Sequence, residues 1–373
     1  MTRVGIVGGG QLGRMLALAG YPLDIRCTVL DPAPDASASQ VTPSIRGAYD
    51  DPGALAELAS DADVITYEFE NVPVEALRSV AERTPVYPPL EALEAAQDRL
   101  LEKALFEKIG IDAASFAPVD SSRSLAEALD RIGVPALIKT RRLGYDGKGQ
   151  GVIHDPRLAE ATWQSLGGAP SILEGLVPFD REMSIVAVRG RDGDTAFYPL
   201  VENVHRDGIL DITRAPAPGL STELQHAAEQ HASQMMDALG YVGVLAIEMF
   251  QLGERLLGNE IAPRVHNSAH WTIEGSETSQ FENHLRAITG LPLGATTPVG
   301  LCAMVNLIGS APDLGAVMTI PGAHVHLYGK TPRPGRKIGH VTLRSEDSLA
   351  LEASLLQLKA LVDHGGDRGP WPT

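Results

Sequence analysis

Only two cysteines, Cys27 and Cys302, occur in 373 residues. They lie far apart in the chain and form no metal-ligand or disulfide pattern. That argues against a disulfide-stapled secreted fold, and a reducing cytosol is the expected compartment. Long apolar runs are missing too. No stretch approaches the ~20 residues that a membrane span needs. The first residues enter directly into Arg3-Val4-Gly5-Ile6-Val7, which reads as a core strand rather than a secretory leader. Positive charge is scarce: 31 Lys and Arg stand against 47 Asp and Glu, a formal net charge of −16. Neither nucleic acid nor an anionic membrane is the expected partner of such a surface, although a local basic pocket remains compatible with it. Internal repeats and low-complexity tracts are absent as well.

What the chain does contain is an ordinary globular composition, 44% hydrophobic. At roughly 100–200 residues per domain its length fits two or three domains. The first hundred residues alternate strand-like runs (Val4–Val7, Ile25–Leu30, Val64–Phe69) with helical patterns (Leu12–Ala19, Ala54–Ser60, Val74–Glu82), the mark of a doubly wound parallel sheet. Adjacent prolines in Thr84-Pro85-Val86-Tyr87-Pro88-Pro89 predict a boundary, and one helix is expected over 95–109. From Met183 onward the pattern turns antiparallel. Strands are expected at Met183–Val188, Thr195–Val204, Ile209–Thr213, Val244–Phe250 and Arg255–Ile261, with helices at Glu223–Leu239 and Gln280–Ile288. After Gly290-Leu291-Pro292 a small C-terminal part carries strands near Leu301–Leu307, His324–Leu327 and Ile338–Leu343, and a helix near Leu349–Leu361.

Three groups of residues carry chemistry. Gly8-Gly9-Gly10-Gln11-Leu12-Gly13 fits G-x-G-x-x-G between a strand and a helix, with Asp31 closing the second strand. It reads as a nicotinamide dinucleotide site, as a site for some other phosphate at a helix N-terminus, or as a tight turn. Lys139-Thr140-Arg141-Arg142-Leu143-Gly144-Tyr145-Asp146-Gly147-Lys148-Gly149-Gln150 follows a strand with a cationic, glycine-rich turn suited to a triphosphate. A solvated basic hairpin is its bland reading. Glu248 and Glu260, twelve residues apart on two apolar strands, converge if those strands form a hairpin. Two carboxylates meeting ATP phosphates indicate Mg²⁺, and a structural ion pair is the alternative. Directly behind them, Arg264, His266 and Asn267 offer donors for a small anion or polar substrate, whereas His270-Trp271 reads as a packed core pair.

These stretches, with Thr66–Asn71, Gln97-Asp98-Arg99, Glu174–Glu182, Glu202–Leu210, Asn259–Thr272, Gln280–Ile288, His326–Lys330 and Pro334–Val341, occur in an order that resembles the N5-carboxyaminoimidazole ribonucleotide synthetases, an ATP-grasp family. Ala269 departs from the pattern, where glycine is common. The resemblance implies an α/β and α+β multidomain fold: an N-terminal Rossmann-like domain over 1–97, an ATP-grasp domain over 98–290 with a lid at about 113–177, and a C-terminal domain over 291–373. It implies a ligase that carboxylates aminoimidazole ribonucleotide with bicarbonate and ATP through carboxyphosphate, in a cytoplasmic homodimer. It places ATP on Arg99, Lys139, Gly144, Tyr145, Asp146, Gly147, Lys148, Gly149, Gln150, Glu174, Gly175, Leu176, Val177, Glu182, His205, Asn259 and Glu260. Mg²⁺ falls to Glu248 and Glu260. The ribonucleotide falls to Gly10, Gln11, Leu12, Glu68, Tyr145, Lys330, Arg336 and Lys337, and catalysis to Arg264, His266, Asn267, Asp146 and Tyr145. Biotin carboxylase and a formate-dependent transformylase share the central motifs but match Thr66–Asn71 and 330–340 less well. A dehydrogenase rests on the glycine loop alone, and a non-catalytic nucleotide-binding module would not need the Glu248, Glu260 and Arg264–Asn267 set.

Overall fold

The computed structural model describes residues 1–144 and 149–363. The strand–helix alternation at the start folds as a parallel sheet in the order β3-β2-β1-β4, built from β1 (Thr2–Val7), β2 (Ile25–Asp31), β3 (Ser44–Arg46) and β4 (Val64–Tyr67). Val4, Ile6, Val29 and Ile65 are buried in it, as expected of parallel strands covered on both faces. The proline-rich stretch after Thr84 is not a linker. Val86 bridges Ile65 in parallel, with Tyr87 N–H donating to Ile65 and Ile65 N–H to Pro85, so the segment extends this sheet's edge.

The helix expected over 95–109 is two helices, Leu90–Gln97 and Arg99–Lys108. Asp98 between them is extended (φ −130°, ψ 108°), and its carboxylate accepts the Leu100 N–H at 3.1 Å. A helix-capping aspartate there outweighs the continuous apolar periodicity.

The middle of the chain forms a four-stranded antiparallel sheet in the order β5-β8-β6-β7: β5 (Phe116–Val119), β6 (Ala136–Thr140), β7 (Gln150–Ile153) and β8 (Ser171–Gly175). A third, larger sheet follows, with β9 (Arg181–Arg189), β10 (Thr195–Phe197), β11 (Val201–Arg206), β12 (Ile209–Ala215), β13 (Gly243–Leu252), β14 (Arg255–Ala262), β15 (Leu301–Ile308), β16 (Ala323–Leu327) and β17 (Lys337–Ser345). Its order is β14-β13-β9-β11-β12-β15-β17-β16, with β10 on β9. The single strand expected over Thr195–Val204 is interrupted at Tyr198-Pro199-Leu200, where Pro199 lacks an N–H for the ladder. The C-terminal strands do not form a sheet of their own: β15 pairs with β12 and continues the central sheet. Helix Thr222–Ala238 seals one face with Leu224, Ala228, Met235 and Met236, each larger side chain contributing about 1.5–3 kcal/mol by burial. Among the described residues no helix is long and apolar enough to cross a membrane.

The glycine loop after β1 is corrected by its surroundings. The following helix, Gln11–Gly20, has no side-chain cap from Gly10. Its N-terminus is occupied instead by Glu68, from the end of β4. The Glu68 carboxylate accepts N–H groups from Gly10 at 2.6 Å and from Leu12 and Gly13 at 3.0 Å each. Asp31 accepts from Gly9 N–H and Tyr49 O–H, both at 2.8 Å. A Cβ on Gly8 (φ +109°) would lie 2.3 Å from Glu68 Cγ, and one on Gly10 2.3 Å from Glu68 Oε1. The glycines therefore make room for the protein's own carboxylate, and the N–H groups of Gly8, Gly9, Gly10, Leu12 and Gly13 are taken within the protein. Those are the donors a dinucleotide pyrophosphate would need, and the Gly10 N–H is on Glu68. Glu68→Ala is predicted to lower unfolding stability by about 1–3 kcal/mol, the cost of unpaired buried donors. Urea denaturation checks this, and an unchanged midpoint and slope would contradict the internal-cap role.

Candidate active site

A cleft of about 1230 Å³ opens where the three sheets meet. Of the residues expected to act, Gln11, Leu12, Glu68, Arg99, Lys139, Gly144, Gln150, Glu174, Gly175, Leu176, Val177, Glu182, His205, Glu248, Asn259, Glu260, Arg264, His266, Asn267, Lys330, Arg336 and Lys337 all border it. Gly149 does not. It sits at φ +72° with a hypothetical Cβ 2.6 Å from Thr140 Oγ1, and its carbonyl accepts the Thr140 N–H, so it is a turn residue. Tyr145, Asp146, Gly147 and Lys148 lie outside the described residues.

Strand register assembles the first wall. Lys139 on β6 and Glu174 on β8 are diagonal neighbours across an antiparallel pair, and Lys139 Nζ lies 2.8 Å from Glu174 Oε2. Buried Lys103 approaches the other oxygen at 3.8 Å and donates to the Asn259 carbonyl at 2.5 Å. Burial opposes ionisation of Glu174, but Lys139 and Lys103 outweigh it and hold the carboxyl below its usual range. Phe179 stacks on Phe250 with ring centroids 4.7 Å apart, giving this end of the cleft a flat apolar surface beside Leu176 and Val177.

β13 and β14 do form a hairpin, and Glu248 and Glu260 are register partners in it. Directly opposed residues on one face approach within ~5 Å at Cβ. Burial, and next the charge of Glu260, push the Glu248 carboxyl up to about 7. Arg99 Nη1 lies 3.3 Å from Glu260 Oε2. Glu102, pushed up to about 8 by burial, accepts the Ile261 N–H at 2.6 Å. Burial opposes protonation of His205, but its contact with Glu182 at 2.8 Å raises it overall. Among the described residues no three His, Cys, Asp or Glu side chains are grouped to hold a metal unaided. Two opposed hard-oxygen donors in a cleft fit a divalent cation that shares its remaining ligands with a phosphate.

The far wall is cationic. Lys330 donates to Gln11 Oε1 and lies 5.9 Å from the Tyr328 ring centroid. Arg336 Nη1 donates to the Thr331 carbonyl at 3.1 Å. Burial, and then the neighbouring cations Arg336, Lys337 and Arg333, lower the Lys330 ammonium, with Glu68 opposing. Lys337 opens β17, and its charge acts on Glu248 and His266, so it serves the middle of the cleft as well as this end. Between the walls, Arg264 Nε meets Glu70 Oε2 at 2.5 Å. Asn267 and Asn306 exchange amide hydrogen bonds at 3.1 and 2.7 Å. His266 Nε2 stands 3.4 Å from Glu248 Oε1.

The cleft thus joins a wall bearing Lys139, an acidic pair and a second cationic wall. Family models match for the ribonucleotide synthetase preATP-grasp domain at residues 1–97, the ATP-grasp domain at 104–281 and the phosphoribosylaminoimidazole carboxylase C-terminal domain at 302–354. The N5-carboxyaminoimidazole ribonucleotide synthase of Pseudomonas aeruginosa is 50% identical over 97% of this chain and 99% of its own. The chain belongs to the N5-carboxyaminoimidazole ribonucleotide synthase family. The crystal structure of the Thermus thermophilus synthetase superposes with a TM-score of 0.94 at 56% identity, covering 99% of this chain and 100% of the other. An Aspergillus clavatus synthase in complex with ADP and 5-aminoimidazole ribonucleotide gives a TM-score of 0.91 at 32% identity, covering 97% of this chain and 99% of that one.

Several residues of this synthase-family cleft escaped the sequence reading. Arg141 and Arg142, which lie in the quoted cationic turn without a role of their own, turn to Asp98. Arg141 donates at 3.0 and 2.7 Å to its two oxygens, and Arg142 at 3.2 Å. Lys103, Glu102 and Asn306 stand on helix or strand faces that read as plain amphipathic pattern. Glu70 falls in the quoted Thr66–Asn71 motif, but its partner Arg264 is 194 residues away. His270 and Trp271 are buried core residues, as expected.

The Glu70–Arg264 pair generates a pH prediction. Burial opposes ionisation of Glu70, yet Arg264 pulls its carboxyl down from 4.5 to about 2. A depressed folded pKa stabilises fully above the unfolded value and is lost as pH falls through the folded one. Melting temperature should therefore drop between about pH 4.5 and 2, more steeply in the wild type than in Glu70→Gln. Parallel profiles for the two proteins would contradict it.

Proposed function

We propose that the chain carboxylates 5-aminoimidazole ribonucleotide with bicarbonate at the expense of ATP, giving N5-carboxyaminoimidazole ribonucleotide, ADP and phosphate. The observation that carries this reading is one cleft with a nucleotide wall and a separate cationic wall on either side of the Glu248–Glu260 pair. ATP would lie with its adenine along Glu174–Val177 and Phe179, its ribose near Glu182 and His205, and its phosphates toward Lys139, Arg99 and Asn259. Glu248 and Glu260 would hold Mg²⁺, which neutralises phosphate charge during transfer.

Bicarbonate would attack the terminal phosphorus, forming carboxyphosphate and ADP. Arg264, whose guanidinium is fixed by Glu70, and Asn267, fixed by Asn306, are preorganised donors for that anion. The ribonucleotide phosphate would be gripped by Lys330 and Arg336, with Arg333 beside them, and Lys337 would bridge toward the carboxyphosphate. The exocyclic amine would then bond to the carboxyl carbon as its bond to the phosphate oxygen breaks, and the departing phosphate would carry away the amine proton. Closure of the cleft around the mixed anhydride would slow its hydrolysis. The three matched segments support domains over 1–97, 98–290 and 291–373. Two free, buried cysteines are in keeping with a reducing cytoplasm, and the family resemblance supports a homodimer.

ADP release measured with and without bicarbonate and the ribonucleotide tests the reading, and full turnover lacking both would sink it. Glu248→Gln and Glu260→Gln, which keep shape and delete charge, should each lose most ADP formation while staying folded. Lys330→Ala should raise KM for the ribonucleotide about tenfold to a hundredfold, the equivalent of roughly 1.5–3 kcal/mol for a charged hydrogen bond, and leave KM for ATP nearly unchanged. Equal effects on both constants would remove the substrate phosphate from this wall.

A further inference from the structure

The segment Arg264–His270 contains Ser268, fully buried, to which the proposed reaction gives no task. It ends a chain of hydrogen bonds through the polar face of the central sheet. Thr213 Oγ1 donates to Asn203 Oδ1 at 2.9 Å, Asn203 Nδ2 to Ser184 Oγ at 2.9 Å, and Ser184 Oγ to Ser268 Oγ at 2.8 Å. Ser268 Oγ then meets His266 Nδ1 at 2.9 Å. All four supporting side chains are buried: Thr213, Ser184 and Ser268 at 0% exposure and Asn203 at 4%.

A row of hydroxyls and one amide can run in either direction, since each hydroxyl both gives and accepts and an amide can be turned over. The reversed row would need a hydrogen on His266 Nδ1. One contact removes that freedom. The backbone N–H of Ser268, which can only donate, is directed at the same Nδ1 at 3.4 Å, so the ring caps its own turn. The backbone of His266 is held independently: Gln280 accepts its N–H at 2.8 Å and donates to its carbonyl at 2.6 Å. With Nδ1 the acceptor of two donors from Ser268, the neutral ring carries its hydrogen on Nε2. That nitrogen faces the cleft and stands 3.4 Å from Glu248 Oε1.

We infer that Ser268, by its backbone N–H and by the hydroxyl that the Thr213–Asn203–Ser184 row holds against Nδ1, fixes His266 as a hydrogen-bond donor into the cleft, so that His266 presents Nε2–H to Glu248 and the bound anion and is not the base that takes the amine proton. Ser268, Ser184 and Asn203 are positioning residues that act through the imidazole. Partners bonded to the far side of a metal-bound histidine set its tautomer and ring orientation, and their loss costs about 10–100-fold in affinity or activity; the same geometry acts here on a histidine that faces an anion.

The first test reads the tautomer in the wild-type enzyme. In nitrogen-15-labelled enzyme, two-bond proton–nitrogen correlation distinguishes protonated from bare imidazole nitrogens, and the His266 signals are those missing in His266→Gln. At neutral pH, Nε2 should be the protonated nitrogen and Nδ1 the bare one. A hydrogen on Nδ1 overturns the inference outright. The second test is Ser268→Ala, with Ser184→Ala as a milder cut one bond further away. Ser268→Ala removes the hydroxyl donor and keeps the backbone N–H, so Nε2 should stay protonated while the nitrogen-15 signal of Nδ1 moves and kcat falls about tenfold or more, with KM for ATP nearly unchanged and the melting curve still cooperative. A Ser268→Ala enzyme with the wild-type Nδ1 signal and wild-type kcat contradicts the positioning role. If it does not fold, Ser184→Ala is judged by the same two readouts. The kinetic arm rests on the proposed reaction and the spectroscopic arm does not: failure to carboxylate at all would refute the reaction and leave the tautomer assignment standing.

Discussion

A carboxylate buried without a countercharge is costly, and this molecule gathers Glu68, Glu70, Glu102, Glu174, Glu248 and Glu260 around one cleft. Each has to be answered, and the answers organise the fold. Glu68 is met by three backbone N–H groups at a helix start, Glu70 by Arg264, and Glu174 by Lys139 and Lys103. These contacts tie the parallel N-terminal sheet to the central sheet, and the four-stranded sheet to the helix after Asp98. Glu248 is different. Its nearest acidic neighbour is its own register partner, and burial with that neighbour raises its carboxyl toward neutrality. Opposed acids on adjacent strands are destabilising on their own. A divalent cation arriving with nucleotide phosphates would resolve that repulsion, and the acidic pair sits between two cationic walls.

The same bookkeeping explains what the first glycine loop is for. Strand, glycines and helix N-terminus make an anion site in any sequence, but here the anion is built in. With Glu68 seated on Gly10, Leu12 and Gly13, the loop becomes a rigid edge of the cleft and carries Gln11 to Lys330. A dinucleotide motif and its structural context thus part company because of one side chain 58 residues downstream.

Much of this was legible in the chain. Periodicity placed β1, β2, β4, β13, β14 and the helix after Ser279, and motif order placed nearly every cleft residue. Glu248 and Glu260 were readable as a pair because hairpin partners are close in sequence. What was not legible depends on long-range contact. No local signal says that Glu68 caps a distant helix, that Glu70 holds Arg264, or that Asp98 collects Arg141 and Arg142; the helix break at Asp98 was legible as a capping residue and was outvoted by the apolar periodicity. The continuity of β15 with β12 was hidden as well, since the pairing of distant strands leaves no trace in their own alternation. Ser184, Asn203 and Thr213 read as ordinary polar interruptions of apolar strands, and only their stacking across three strands gives them a common purpose.

The central claim is that bicarbonate is activated by phosphorylation inside this cleft. Turnover with oxygen-18-labelled bicarbonate, ATP and 5-aminoimidazole ribonucleotide tests it most directly, because the bond between phosphorus and a bicarbonate oxygen survives in the released phosphate. Mass spectrometry of that phosphate should find one labelled oxygen per turnover. Unlabelled phosphate, released alongside carboxylated product, would contradict the account.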